Sequence, residues 1–375
     1  MPVPSGVLWD GDPHTLAKHR LLENYLAAWL PTLLQGGFRG VTYAEGFAGP
    51  GIYNGGEPGS PVIALRTFLG QQGLLATGRS VDMVLVEEDG RRLAELRRQM
   101  SRSLATPAGA RAGIGVEYVL GDEAEVLLPA LERIGAMRRP VFAFLDSYGG
   151  PDVPLDLARR IGAAPASEIL VTFGTNFFIR FCEVEGHQAE GDQVFGGRTW
   201  RQVARLAPRE KKPFLVATYR QSLQQAGYTY VVSFEMLDEQ GHDLHLVFGT
   251  THRAGLEKMK NAMWTIDPVG GVRFRDPRDP DQGVLDFTVD PDLRPLSRSL
   301  LAELDHRPMT LAELKDHALV ETVYRPPHAR TVVQSLLKQG AVQRDPVRGH
   351  LSDATVIRHA ERAPDHEVQH PATLF

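Results

Sequence analysis

Apolar positions in the first part of the chain recur at helical spacing. Leu22, Tyr25, Leu26, Trp29, Leu30 and Leu33 follow the i, i+3, i+4, i+7, i+8, i+11 series. They predict a helix from His14 to Gln35, stopped by Gly36-Gly37. The pattern then changes to short apolar runs that read as buried strands: Gly40 to Ala44, Val81 to Val86, Val116 to Leu120, Pro140 to Leu145 and Ile169 to Phe173. A turn-rich loop over 52–60 leads into a helix at Ser60-Pro61, with Ser as cap and Pro in the first turn. The arginine-rich segment 91–102 predicts a solvated helix. Strand and helix in alternation predict a parallel sheet covered on both faces.

Two more strand-like runs, Tyr228 to Met236 and Leu244 to Thr250, flank the hairpin loop 237–243, and His252 to Trp264 reads as a helix. Residues 176–227 are too long for a simple crossover and predict an insertion on the substrate side. Residues 266–295 hold seven Asp and five Pro, which reads as a linker. Beyond it, Leu296 to Leu304, a Thr-capped segment from Thr310 and a segment from Pro327 to Gly340 predict three helices. Ala341 to Arg344 and His350 to Ser352 then predict a hairpin. That is a winged-helix pattern over 296–360, followed by a tail at 361–375.

Composition narrows the class. The chain has 375 residues, 42% hydrophobic and 23% charged, as expected of a soluble globular protein with a main domain over 1–265 and a smaller unit. Its single cysteine, Cys182, excludes an internal disulfide and a thiolate zinc site. No His-rich metal spacing occurs, so no metal is expected. No apolar run approaches a membrane span and the N-terminus lacks a charged start and apolar core, so no membrane partner and a cytoplasmic location are expected. A net charge of -5 weighs mildly against a nucleic-acid sink, although the C-terminal segment 295–360 is weakly basic, with nine Lys/Arg against seven Asp/Glu. The candidate winged helix reads equally as a nucleic-acid or a protein contact, and a homodimer or a partner protein fits it.

The chemistry concentrates at the strand ends. Glu45, Glu87, Asp122 and Asp146 close four successive runs, and ligands in parallel sheets sit outside the carboxyl ends of the strands. The first of these ends, Glu45-Gly46-Phe47-Ala48-Gly49-Pro50-Gly51, has an acid-x-x-x-Gly-x-Gly turn, the opening of an S-adenosylmethionine site in a Rossmann-like methyltransferase. Gly49 and Gly51 allow a tight turn and close backbone approach to a ligand. A nicotinamide turn wants a third glycine, and the matching position is Asn54. Glu87 suits the ribose hydroxyls, and Gly121-Asp122 suits the adenine, with Asp122 equally placed to cap a helix.

These residues resemble the three-Cys-motif partner proteins, predicted S-adenosylmethionine-dependent methyltransferases. The likeness rests on Lys18-His19 with Tyr25-Leu26 and Trp29, on Phe47 to Gly51, on Gly59-Ser60-Pro61, on Phe144 to Gly149 and on the helix with Met259 and Ala262-Met263. It covers roughly 14–264. A more distant likeness is to RlmJ-type adenine-N6 methyltransferases of large ribosomal RNA. That resemblance implies cofactor contacts at His19, Ser60, Glu87, Gly121, Asp122 and Asp146. Phe47 stands where those proteins have a histidine.

Asp146-Ser147-Tyr148-Gly149 resembles the Asp-Pro-Pro-Tyr motif of amino methyltransferases. It implies that Asp146 accepts a hydrogen bond from an exocyclic amine and that Tyr148 stacks on the base, with Ser147 and Tyr148 in place of the two-residue proline centre. Lys18, Asn176 and Phe177 are further candidates for the substrate side, and Arg180, Lys211-Lys212, Lys258 and Lys260 for phosphate contacts. The expected protein is an α/β, class I Rossmann-like methyltransferase of seven strands, with the last hairpin antiparallel and a C-terminal winged helix. The expected acceptor is a nucleobase-containing molecule. A small-metabolite methyltransferase and a non-catalytic cofactor-binding regulator are the alternatives.

Overall fold

The computed structural model describes residues 6–11, 13–76, 78–107, 109–147, 150–237, 243–268, 273–275 and 291–360. They fall into two compact units, Met1–Asp290 and Pro291–Phe375. The first runs α1 (Pro13–Gln35), β1 (Gly40–Gly46), α2 (Ser60–Leu69), α3 (Gln72–Leu75), β2 (Ser80–Glu87), α4 (Gly90–Leu104), β3 (Ile114–Leu120), α5 (Glu123–Arg133), β4 (Val141–Leu145) and α6 (Leu155–Gly162). It continues through β5 (Glu168–Phe173), α7 (Thr175–Phe181), α8 (Glu185–Phe195), α9 (Pro208–Gln225), β6 (Tyr230–Leu237), β7 (Asp243–Thr250), α10 (Arg253–Ile266) and β8 (Arg273–Arg275).

The strands form one sheet in the order β3-β2-β1-β4-β5-β7-β6-β8. β1 to β5 pair in parallel, and β7 lies antiparallel between β5 and β6. This is the Rossmann-like methyltransferase sheet the sequence predicts, with one addition. Arg273–Arg275 falls in the predicted linker and pairs in parallel with β6, so the sheet has eight strands. Without it β6 would present an unpaired edge, and a short segment is enough to cover such an edge.

Successive strand residues point to opposite faces, and the two faces carry separate cores. Tyr43, Met83 and Phe142 pack with Tyr25, Trp29 and Phe68 on one side. Ala44, Val84 and Ala143 pack with Leu127, Trp200 and Tyr219 on the other. Leu22, Tyr25, Leu26 and Leu30 of α1 are fully buried, each contributing roughly 1.5–3 kcal/mol of transfer free energy. That stripe anchors α1 and carries the start of the helix into the interior. Residues 176–227 supply α7, α8 and α9, which bury Phe178, Phe195 and Tyr219 in the second core. The solvated reading of α4 holds for one face, while Arg92, Leu93, Leu96 and Met100 are buried.

The strands lead outward from β1 in opposite directions, to β2 and β3 on one side and β4 and β5 on the other. The switch point therefore lies between β1 and β4, where such sheets open a crevice at their carboxyl edge.

The second unit runs α11 (Arg294–His306), β9 (Met309–Thr310), α12 (Leu311–Val320), α13 (Pro326–Lys338), β10 (Val342–Asp345) and β11 (Val356–His359), with an antiparallel sheet in the order β10-β11-β9. Thr310 caps α12: its Oγ1 accepts from Glu313 N at 3.2 Å, and Thr310 N donates to Glu313 Oε2 at 2.7 Å. The returning strand lies later than predicted. Ser352 N donates to Thr355 Oγ1 at 2.9 Å, so the Ser-Asp-Ala-Thr run closes a turn before the strand begins.

Candidate functional site

The carboxyl edge of the sheet holds a cavity of about 130 Å³. It is bordered by Phe47 from the first turn, Glu87 and Glu88 from the end of β2, Gly121 and Asp122 from the end of β3, and Ser147 after β4. Arg92, Glu123 and Asp152 complete the polar lining. A cavity of roughly 150 Å³ takes up benzene, so this one suits a ring-sized group. Four acids beside Glu123 against one arginine give it a field that favours cations.

Each lining acid has a different commitment. Glu87 is buried, and its Oε2 accepts from Gly49 N at 2.9 Å while Oε1 accepts from Asp89 N at 3.0 Å. Burial raises its pKa, and those two N–H groups and Arg92 partly offset the rise. Two further lone-pair positions on that carboxylate remain for a ligand. Glu88 is exposed at the rim. Asp122 is the N-cap of α5, its Oδ1 accepting from Ala124 N at 2.9 Å. Ser147 is buried beside the cavity.

Behind the cavity lies a buried polar network that joins α1, β1, α2 and β4. Lys18 of α1 forms an ion pair with Asp146 Oδ2. Adjacent polar residues at a helix start are usually solvated, yet Lys18 and His19 are both buried. Burial pushes the Asp146 carboxyl up, but the Lys18 ammonium, the Thr172 hydroxyl and the nearby His19 more than offset it and hold Asp146 below its ordinary range. Its Oδ1 is buried and makes no hydrogen bond of full geometry, although the Thr172 hydroxyl acts on the same carboxyl. Glu45 receives Ser60 Oγ on Oε1 at 2.5 Å and Tyr43 OH on Oε2 at 2.7 Å. Burial raises Glu45 to about 8 despite those two hydrogen bonds. Ser60 is therefore not the cap of α2, a position held by Gly59; it is the first helical residue, and its hydroxyl serves Glu45.

The Gly-rich turn works differently from the expectation of open backbone. Gly51 has φ +76, but a Cβ there would lie 2.7 Å from Leu96 Cδ1 and 3.2 Å from Val62 Cγ2. The glycine lets two helices close over the turn. Gly49, at φ +63, faces Trp9. Phe47 takes φ 61, a left-handed conformation that costs a non-glycine residue roughly 1–2 kcal/mol. The adjoining Ala48 N donates to Val86 O at 2.8 Å and helps to hold it. Such strain gathers at ligand sites. Over this turn runs the segment 6–11: Arg92 Nη2 donates to Gly6 O at 3.0 Å, and its guanidinium lies 5.1 Å from the Trp9 ring.

Tyr148 lies outside the described residues. Asn176 is exposed at the start of α7, and Phe177 packs against Phe178, Phe181 and His187; neither borders the cavity. Lys260 is buried in α10 and does not belong to an open phosphate-binding face. Sequence reasoning missed Arg92, Glu123 and Asp152. Arg92 was hidden in an arginine-rich run, and Glu123 reads as an ordinary first-turn acid next to a cap.

No family model and no curated protein matches this chain. Solved structures do. EvdMO1 matches at TM-score 0.34 and 12% identity over 63% of this chain, which spans 42% of EvdMO1. A mutant form of the 16S rRNA (adenine(1408)-N(1))-methyltransferase from Catenulisporales acidiphilia matches at TM-score 0.29 and 16% identity, over 58% of this chain and 89% of its own. A protein assigned as a sarcosine dimethylglycine methyltransferase from Galdieria sulphuraria matches at TM-score 0.28 and 11% identity, over 66% and 93%.

A nucleoside cofactor such as S-adenosylmethionine fits the donor set by its chemistry. Glu87 has acceptor positions for hydroxyls, and the acidic lining suits a sulfonium charge. No helix among the described residues is long and apolar enough to cross a membrane.

Proposed function

We propose that this protein is an S-adenosylmethionine-dependent methyltransferase that acts on an amine or ring nitrogen of a nucleobase or nucleoside-like acceptor. The observation that carries this reading is Asp146: a buried carboxylate at the switch point, held ionised by Lys18, adjoining Ser147 of the cavity, with no hydrogen bond of full geometry on Oδ1. The cofactor, when bound, supplies an electrophilic methyl group. The chain's own residues do the rest. Glu87 holds the ribose hydroxyls. Asp146 Oδ1 accepts an N–H of the acceptor amine and so fixes the direction of its lone pair. A carboxylate held below its ordinary range is a weak base, so Asp146 orients the amine and the proton leaves to solvent. Lys18 keeps the buried Asp146 from taking a proton. Much of the rate then comes from alignment.

The test is Asp146→Asn. Methyl incorporation from labelled cofactor into RNA, DNA and nucleoside pools should fall at least about 100-fold, while S-adenosylhomocysteine binding stays within about threefold. Undiminished turnover in the variant, or a wild type that binds no S-adenosylhomocysteine, would sink the reading. The acidic lining also favours a second reading, a small cationic or neutral metabolite as acceptor. RNA or DNA binding that weakens steeply with salt would favour the nucleic acid.

A further inference from the structure

Glu123 lines the cavity and has no part in the proposed reaction. It is the first residue of α5 and is 3% exposed. Both of its carboxyl oxygens are buried with no hydrogen-bond partner in the protein, and the side chain borders the cavity. A polar group that is hidden from water and left unpaired is costly, so its retention points to a partner that arrives with a ligand. The chain also makes room for it. A Cβ on Gly46 would lie 2.4 Å from Glu123 Cγ, so the end of β1 must be glycine for this carboxyl to lie where it does.

The neighbours are already engaged. Asp122, the expected base contact, gives Oδ1 to the N-terminus of α5. Glu87 gives one oxygen to Gly49 N and one to Asp89 N. We propose that the Glu123 carboxyl, in place of Asp122, reads the base edge of the nucleoside held in this cavity, pairing with an exocyclic amine and the ring nitrogen beside it.

A neutral carboxyl offers one acceptor and one donor side by side, the pattern with which an Asn or Gln amide recognises the amine and ring nitrogen of adenine. Glu123 is placed to be neutral. Burial pushes its pKa well above the ordinary value, and the like charges of Asp122 and Asp152 push in the same direction. The groups facing it are Glu87 and Glu88 from β2, Arg92 from α4, Asp122 at its own helix start, Asp152 before α6 with Glu190 behind it, and Tyr219 from α9. Among them Arg92 is the one cation, and it is drawn to Glu87 at 3.8 Å.

This assignment rests on the cofactor reading, and one experiment separates their failures. S-adenosylhomocysteine is titrated into the full chain between about pH 6 and about pH 9 for the wild type, Glu123→Gln and Glu123→Ala. The wild type should lose affinity toward high pH, by up to about tenfold per unit once Glu123 ionises. The Gln variant, a permanent mimic of the neutral acid, should bind within about threefold at the low end and decline less. The Ala variant should bind about tenfold or more weakly at neutral pH. Affinity unaltered by Ala, or a decline in Gln as steep as in the wild type, overturns the assignment while the cofactor reading stands. A folded wild type that binds nothing overturns both. Should the Ala variant fail to fold, the isosteric Gln profile still decides.

Discussion

Glu123 and Glu168 are both buried carboxyls, and they sit at opposite ends of the same sheet. Glu168 begins β5, at the edge away from the candidate site, beside a second cavity of about 140 Å³ lined by Tyr25, Trp29, Leu33, Phe38, His252 and Lys258. It is fully engaged: Tyr25 OH donates to Oε2, and Thr250 Oγ1 donates to Oε1 at 2.8 Å. Glu123 has no such partners. A buried acid with its hydrogen bonds made ties elements together, here α1, β5 and β7. A buried acid without them is an open position. Burial and identity alone do not distinguish the two; partners do.

The largest effect expected from this contrast is on stability at the Glu168 end. Glu168→Ala removes the acceptor of the Tyr25 and Thr250 hydroxyls, leaves the buried Tyr25 hydroxyl unpaired and opens a cavity, and should cost about 4 kcal/mol in urea unfolding. A loss under about 1 kcal/mol would break the contrast. The next effect is on pH dependence. Burial raises Glu168 to about 7, above its unfolded value, even though Tyr25 and Thr250 donate to it. The folded state therefore binds that proton more tightly. The stability linked to it is fully present below the unfolded value and is lost as pH rises through about 7, amounting to about 3 kcal/mol. Unfolding free energies across pH should fall less steeply in Glu168→Gln than in the wild type; matching slopes would refute the assignment. The smallest effect lies at the other end. Gly46→Ala should destabilise by about 2 kcal/mol by forcing Glu123 aside, and the penalty should drop below about 0.5 kcal/mol in a Glu123→Ala background. Additive costs in that double-mutant cycle would show that the two residues do not press on each other.

Periodicity made most of the fold legible. The strands and the stripe of α1 follow from local pattern, because a buried strand and an amphipathic helix each show their burial in the sequence itself. Arg273–Arg275 carried no such signal, since a three-residue run in a stretch rich in Asp and Pro is too short to show a period, and it gains its strand character from the open edge of β6. The hairpin return at Val356–His359 was displaced by a side-chain turn that composition does not announce. At the site, the strand-end acids Glu87, Asp122 and Asp146 do reach the carboxyl edge. Their individual commitments were invisible, because Ala124, Gly49 and Lys18 become their partners only through the fold. Gly51 illustrates the same limit: a glycine needed for helix packing and one needed for a ligand look identical in a sequence.

The ion pair between Lys18 and Asp146 joins positions 128 residues apart. During synthesis the first helix emerges long before the strand that ends at its partner. Until β4 is in place the lysine has no counter-charge, and until α1 docks the aspartate has none either. A half-assembled chain therefore carries neither the buried, ionised carboxylate nor the wall that α1 forms behind it. If Asp146 serves the reaction proposed above, activity would report on whether the first helix has come home.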